Sequence, residues 1–268
     1  MFETIPSSRS ARWALLQNFI DRWYPPVMMN DGYPEAEIIA AERRLQLKLP
    51  TALTEWYLFF GNRYDLWQTQ DSLCPPSQLC LDEDGLRFYY ENQGCFHWSI
   101  PTANLDDDDP PVSINFGGDL MQVNSSVSEH AIQRLLYETK FHYFGGGTTD
   151  DSKVVRSNVI RAVEENYSRC ALPDWPIFSA NIRFFEAPDV FIEIWSFKNK
   201  PDWLEFWFCT RNKHLCRELT IFFQNCGLVF DTIIDDEIFI PTANYFSKKY
   251  EYRLDSYSYE IWLKFDCA

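Results

Sequence analysis

Residues 33–62 read YPEAEIIAAERRLQLKLPTALTEWYLFFGN, and the fold turns on how that stretch divides. Pro34 suits a first helical position, because the amide it lacks is one a helix start leaves unbonded anyway. Glu35 and Glu37 then sit where the helix dipole favours anions, and Arg43 and Arg44 where it favours cations. Ile38, Ala41 and Leu45 recur at helical spacing, so the spacing predicts a helix from about Pro34 to Leu45 with one buried stripe. Leu49-Pro50 opens a further helix, TALTEWYLFF, which Gly61-Asn62 ends.

Upstream, Trp13, Leu16, Ile20 and Trp23 mark an amphipathic helix over 11–24, stopped by Pro25-Pro26. Downstream the period changes. Residues 63–85 read as loop with short elements, closing at Asp84-Gly85. LRFYYEN (86–92) and CFHWSI (95–100) read as adjacent antiparallel strands joined through Gln93-Gly94. An acidic loop, Asp106 to Asp109, precedes Pro110-Pro111 and a third strand, VSINF (112–116). Ser126 and Glu129 are spaced as a capping box for a helix over about 127–143. Gly145-Gly146-Gly147 with Thr148-Thr149 reads as a hinge or linker, which sets a module of residues 1–145 against a region 150–268. That second region is expected either to extend the same sheet or to fold as a second small domain. It carries a helix near 152–168, a loop at Pro173, Trp175 and Pro176, and the strands NIRFFEA, VFIEIWSF and WLEFWFCT. A helix near 212–225 closed by Gly227 follows, and the tail YEYRLDSYSYEIWLKF alternates like strands again. The expected class is α+β, with helices on a mainly antiparallel sheet and a further C-terminal α/β region.

Composition limits what such a chain can do. Aromatics are abundant, with 22 Phe, 14 Tyr and 10 Trp, as sheet cores use them; they also anchor interfaces and stack on sugars. The net charge of -15 repels phosphate backbones and anionic lipid heads, so nucleic acid and membranes are not expected partners, whereas a basic protein is. The N-terminus shows no apolar signal segment, and no run is long and apolar enough to span a bilayer, so a cytoplasmic chain is expected. The eight cysteines form no C-x-x-C pair, and they are expected to be reduced, buried, apolar-like side chains with no disulfide framework. Cys74, Cys80, Cys95 and His97 fit no familiar zinc spacing, so neither a metal nor any other cofactor is expected.

Catalytic signatures are thin. The sequence holds no phosphate-cradling glycine loop, no H-E-x-x-H and no G-x-S-x-G. His97 and His130 stand alone, and nothing in the sequence sets Glu91 and Asp109 at the separation of a glycosidase carboxylate pair. No enzymatic activity and no catalytic residue is expected.

Two segments resemble a known family. YPEAEIIAAERRLQLKLPTALTEWYLFFGN resembles the opening of the SUKH superfamily, and LRFYYENQGCFHWSI with DDPPV (108–112) resembles its strand pair, its Glu-Asn-Gln-Gly turn and the entry to its next strand. Ser99 stands where the pattern favours glycine. The superfamily includes the fungal Smi-one/Knr-four cell-wall regulators and many bacterial immunity proteins. The resemblance implies a non-catalytic protein that neutralises a cognate toxin, such as a basic nuclease. A regulatory adaptor like the fungal relatives is the alternative, and a sugar-binding protein a third.

From these readings the expected partner surface is an acidic patch of Asp106, Asp107, Asp108 and Asp109 beside Glu91 and Trp98. The carboxylates would steer a basic partner and the ring would anchor it. Glu91 carries a second expectation, holding its turn by accepting backbone amides.

Overall fold

The computed structural model describes residues 1–234, apart from 117–118 and 178–179. The alternating strands expected in the C-terminal tail lie outside the described residues.

The first helices form where capping and periodicity place them. α1 (Arg9–Trp23) starts at Ser8, whose hydroxyl accepts from the Ala11 amide, and buries Trp13, Leu16, Phe19, Ile20 and Trp23. α2 (Glu35–Leu45) buries only Ile38 and Ala41, and Gln46 ends it in the left-handed conformation at φ 55°. α3 (Thr51–Phe60) and the single turn α4 (Tyr64–Trp67) follow. The short strands β1 (Ser72–Leu73) and β2 (Cys80–Asp82) share one edge of β3 (Gly85–Tyr90). β3 pairs antiparallel with β4 (His97–Ile100), as expected, with Leu86 opposite Ile100. β5 (Val112–Phe116) and β6 (Asp119–Asn124) complete a six-stranded sheet ordered β1-β3-β4-β5-β6, with β2 beside β3.

α5 (Val127–Thr139) is the central helix. Twelve of its thirteen residues are buried, which a surface amphipathic helix would not show. The Ser126 hydroxyl accepts from the Glu129 amide at 3.2 Å. Glu129 reaches back to the Ser125 amide, one residue before the expected reciprocal partner.

Gly145-Gly146-Gly147 is not a linker. It lies within β7 (Phe144–Asp150), an inner strand of a second sheet. Close approach explains the glycines. A β-carbon on Gly147 would come within 2.3 Å of the Trp207 ring, and one on Gly145 within 2.2 Å of the Phe208 carbonyl. α6 (Lys153–Asn166) leads into β8 (Ser168–Arg169) and β9 (Trp175–Ile177), the latter a short strand where a loop was expected. β10 (Ala180–Ala187), β11 (Val190–Phe197) and β12 (Lys200–Thr210) form an antiparallel meander, followed by α7 (Lys213–Asn225) and β13 (Thr232–Ile234). Gly227, at φ +105°, closes α7 as expected. The sheet order is β13-β7-β12-β11-β10-β8, with β9 beside β10.

Residues 144–234 therefore build a separate sheet rather than an extension of the first, so the expected boundary near 145–150 falls inside β7. Its strands alternate with period two between two cores. Ile182, Phe184, Phe191 and Cys209 join the core of the first sheet, with Phe191 packed against Phe2, Phe19 and Trp23. Phe185, Ile192, Ile194, Phe206 and Phe208 point the other way, onto Val159 and Val163 of α6 and Phe223 of α7. The chain is α+β with two antiparallel sheets. No helix among the described residues is long and apolar enough to cross a membrane.

Candidate functional site

The acidic run lies between β4 and β5, and its members divide. Asp109 is drawn into the fold: its carboxylate accepts from the Ser128 amide at 3.0 Å and the Ser128 hydroxyl at 2.5 Å, and pairs with Arg12 at 3.3 Å. It thus neutralises the start of α5, where unbonded amides and the helix dipole favour an anion. Asp108 serves α3 similarly. Pro50 offers that helix no side-chain cap, and Asp108 accepts from the Thr51 hydroxyl at 2.6 Å and, through its carbonyl, from the Ala52 amide at 2.8 Å. Its side chain nevertheless remains 80% exposed. Asp107 accepts from Asn104 at 2.9 Å. Asp106, Asp107 and Asp108 stand on the surface, whereas Asp109, contrary to expectation, does not present its carboxylate to a partner.

Glu91 behaves as its turn requires. One carboxylate oxygen accepts from the Gln93 and Cys95 amides, each at 3.0 Å, while Gly94 supplies a φ of +71°. This turn and the acidic loop leave opposite ends of β4, separated by about 10 Å of strand at 3.3 Å per residue. Glu91 and the aspartates therefore do not form the single patch expected, nor do Glu91 and Asp109 converge as a carboxylate pair.

Trp98 requires a plainer correction. It is 0% exposed, because β4 alternates and turns Trp98 and Ile100 to the core while His97 lies on the opposite face. Its ring packs against Phe96 at 4.8 Å, Tyr89 at 5.5 Å and Trp175 at 6.2 Å. It cannot serve as a surface anchor in this fold.

Trp98 instead walls a charged cluster that sequence reasoning missed. Arg134 of α5 is 0% exposed, and its guanidinium carbon lies 4.7 Å from the Tyr89, Trp98 and Tyr137 rings and 5.2 Å from Trp175. It donates to Asp71 at 2.6 Å and to Glu138. Two carboxylates thus share one guanidinium away from water. Burial and the Asp71 charge push Glu138 up to about 7 despite Arg134, because full ionisation would leave a net negative charge in the core. Burial also holds His130 well below the ordinary range, with Arg134 adding to the effect. At the C-cap of α5, Lys140 lies 4.0 Å from the Tyr137 ring and pairs with Glu193 at 2.5 Å, and Trp195 donates to the same carboxylate. The void beside Lys140 and Glu193 measures about 10 Å³, room for roughly one water and no substrate. In the sequence His130, Arg134 and Glu138 recur at i, i+4, which reads as a solvated helix face. The surplus of aromatics was the only signal that something buried needed walls.

A second unforeseen grouping lies on the face of the first sheet turned away from the core. Asp82 and Asp84, at the turn between β2 and β3, approach His97 of β4, so that one ligand atom from each lies within 4.8 Å of the others. Among the described residues no other three His, Cys, Asp or Glu side chains meet so closely, so Cys74, Cys80, Cys95 and His97 do not assemble a zinc set. Cys74, Cys95, Cys170, Cys209 and Cys226 carry free thiols, whereas Cys80 is disulfide-bonded and Cys95 is exposed, against the expectation of reduced, buried cysteines. An open cleft of about 820 Å³ also runs between β6 and residues 169–173. The carboxylate that lines it, Glu129, is already engaged by the Ser125 amide and hydroxyl. No protein-family model, curated protein or solved structure matches this chain.

Proposed function

We propose that the chain is a non-catalytic immunity protein that binds and neutralises a basic bacterial toxin, with a nuclease as the fitting class. The observation that carries this reading is the loop of Asp106, Asp107 and Asp108. Three exposed carboxylates stand together on a backbone braced at the starts of α3 and α5. A rigid anionic projection costs little ordering on association, and on a chain of net charge -15 it steers a cationic surface from a distance. The SUKH resemblance of residues 33–62 and 86–100 supports the same function. With Trp98 buried, the anchor of such an interface must come from other residues. The test is to purify the protein with the product of the gene immediately upstream of its own, as a catalytically inactive variant. Stoichiometric binding, with loss of the active toxin's activity on adding this chain, is the expected result. Absence of binding would remove the proposal.

A regulatory adaptor is the second reading, and a different surface favours it. Met28, Met29, Leu58, Phe59 and Tyr64 are all exposed on neighbouring elements, where loop 25–33 packs beside α3 and α4. An apolar corner of this kind suits peptide recognition better than charge steering. Retention of toxin binding in a Met29→Ser, Phe59→Ser variant would set this corner apart from the neutralising surface.

A further inference from the structure

The outer face of the first sheet carries a charge arrangement that the proposed toxin surface does not use. β3, β4 and β5 turn Phe88, Trp98 and Ile114 to the core, so Arg87, His97, Ser99, Ser113 and Asn115 occupy the opposite face. Ser99 stands between Arg87 and Ser113 in the register. Serines at the centre leave room for side chains from the β2–β3 turn to lie over the strands. Asp84 uses that room: both its oxygens accept from the Asn115 amide, at 2.8 and 2.9 Å, and one lies 3.6 Å from Nε2 of His97. Asp82 is ion-paired with Arg87 and accepts the Asp84 amide at 2.9 Å.

Two features of this group are unresolved by protein contacts alone. The first is charge. Two carboxylates face one guanidinium, and Arg87 is committed to Asp82. The second is the imidazole itself. Nε2 of His97 is shut off from solvent and has no hydrogen-bond partner. That nitrogen stands 3.6 Å from an Asp84 carboxylate oxygen, beyond hydrogen-bond reach. A cation seated between them removes both defects. Adjacent ligands of a tetrahedral ion with bonds near 2.0–2.1 Å stand about 3.4 Å apart, close to the observed gap.

We propose that Asp82, Asp84 and His97 form a three-ligand site for a divalent transition-metal ion of the zinc class. One nitrogen and two carboxylate oxygens suit Zn²⁺, whereas Mg²⁺ and Ca²⁺ prefer oxygen throughout. Arg87 is the built-in competitor, holding Asp82 until the metal takes one of its oxygens. Three protein ligands leave a fourth position for water or for a donor from a bound partner.

The experiment is calorimetric titration of ZnCl₂, CaCl₂ and MgCl₂ into the full chain after chelator treatment and dialysis. The expected result is one equivalent of zinc and at least tenfold weaker binding of calcium and magnesium. Asp84→Asn and His97→Ala should each weaken zinc at least tenfold. Cys95→Ser should bind like the wild type, since Cys95 is an exposed thiol able to take zinc elsewhere. Circular dichroism checks each variant; if His97→Ala unfolds, Asp84→Asn and Asp82→Asn carry the test. No zinc binding by the wild type, unchanged binding in folded Asp84→Asn, loss of binding in Cys95→Ser, or calcium binding equal to zinc would each overturn the assignment.

Discussion

Arg134 and the Asp106–Asp108 loop are both concentrations of charge, and the fold treats them oppositely. Arg134 is sealed among four aromatic rings and two carboxylates, while the three aspartates project into water from a braced loop. Burial decides what each can do. In water a charge is screened within about 10 Å, so exposed aspartates hold little together but act at a distance on an approaching partner. Away from water the same kind of charge is strongly coupled to its immediate neighbours and nearly invisible beyond them. One cluster fixes how α5 seats between the sheets; the other is available for association.

Substitution at Arg134 should have the largest effect. Arg134→Ala leaves Asp71 and Glu138 buried without a counter-charge, so it should cost about 3–5 kcal/mol in denaturant unfolding. Arg134→Met, which keeps packing among the rings, should recover only part of this. A loss below about 1 kcal/mol in the alanine variant would mean the cluster is not sealed as described.

Glu138 gives a pH signature. Its folded-state value, raised to about 7, exceeds the ordinary carboxyl value of 4.5, so the folded state binds the proton more tightly than the unfolded chain. Wild-type stability must therefore fall, for this group, as pH rises from about 4.5 to 7, and level off above that. Glu138→Gln has no such proton. The stability of Glu138→Gln relative to wild type should improve across that window and be flat beyond it. A difference that stays constant with pH would contradict a raised Glu138.

Asp109 lies between the extremes. Asp109→Ala removes the acceptor for Ser128 and the partner of Arg12, with an expected cost of about 1–2 kcal/mol in the same measurement. Replacing Asp106, Asp107 and Asp108 together by Asn should leave the unfolding midpoint almost unmoved. An effect as large as that of Asp109→Ala would show that the exposed members also hold the fold.

The sequence was most informative where local rules suffice. Proline and glycine punctuation, i, i+4 spacing and the Gln93-Gly94 turn place α1, α2, α3 and the β3–β4 hairpin. Glu91 accepts the backbone amides its turn offers. Gly145-Gly146-Gly147 misled because glycine signals a flexible joint locally, while here it admits Trp207 and the Phe208 backbone from a strand some sixty residues later. Trp98 misled because an aromatic beside an acidic loop suggests an interface, and only the pairing of β4 between β3 and β5 shows which way it points. Arg134 and the Asp82, Asp84 and His97 group were invisible for a related reason. Their partners come from segments far apart in the chain, and no spacing rule connects them.

The most direct test of the binding surface is the association rate with the upstream-encoded toxin as a function of salt. Stopped-flow mixing at ionic strengths from about 20 to 500 mM would compare the wild type with the Asp106→Asn, Asp107→Asn, Asp108→Asn variant. For a steering loop, wild-type association is fast at low salt and slows steeply as salt rises, while the variant associates at least several-fold more slowly at low salt, with a flatter slope and little change in dissociation. Identical rates and slopes in the two proteins, both folded, would contradict a binding role for these aspartates.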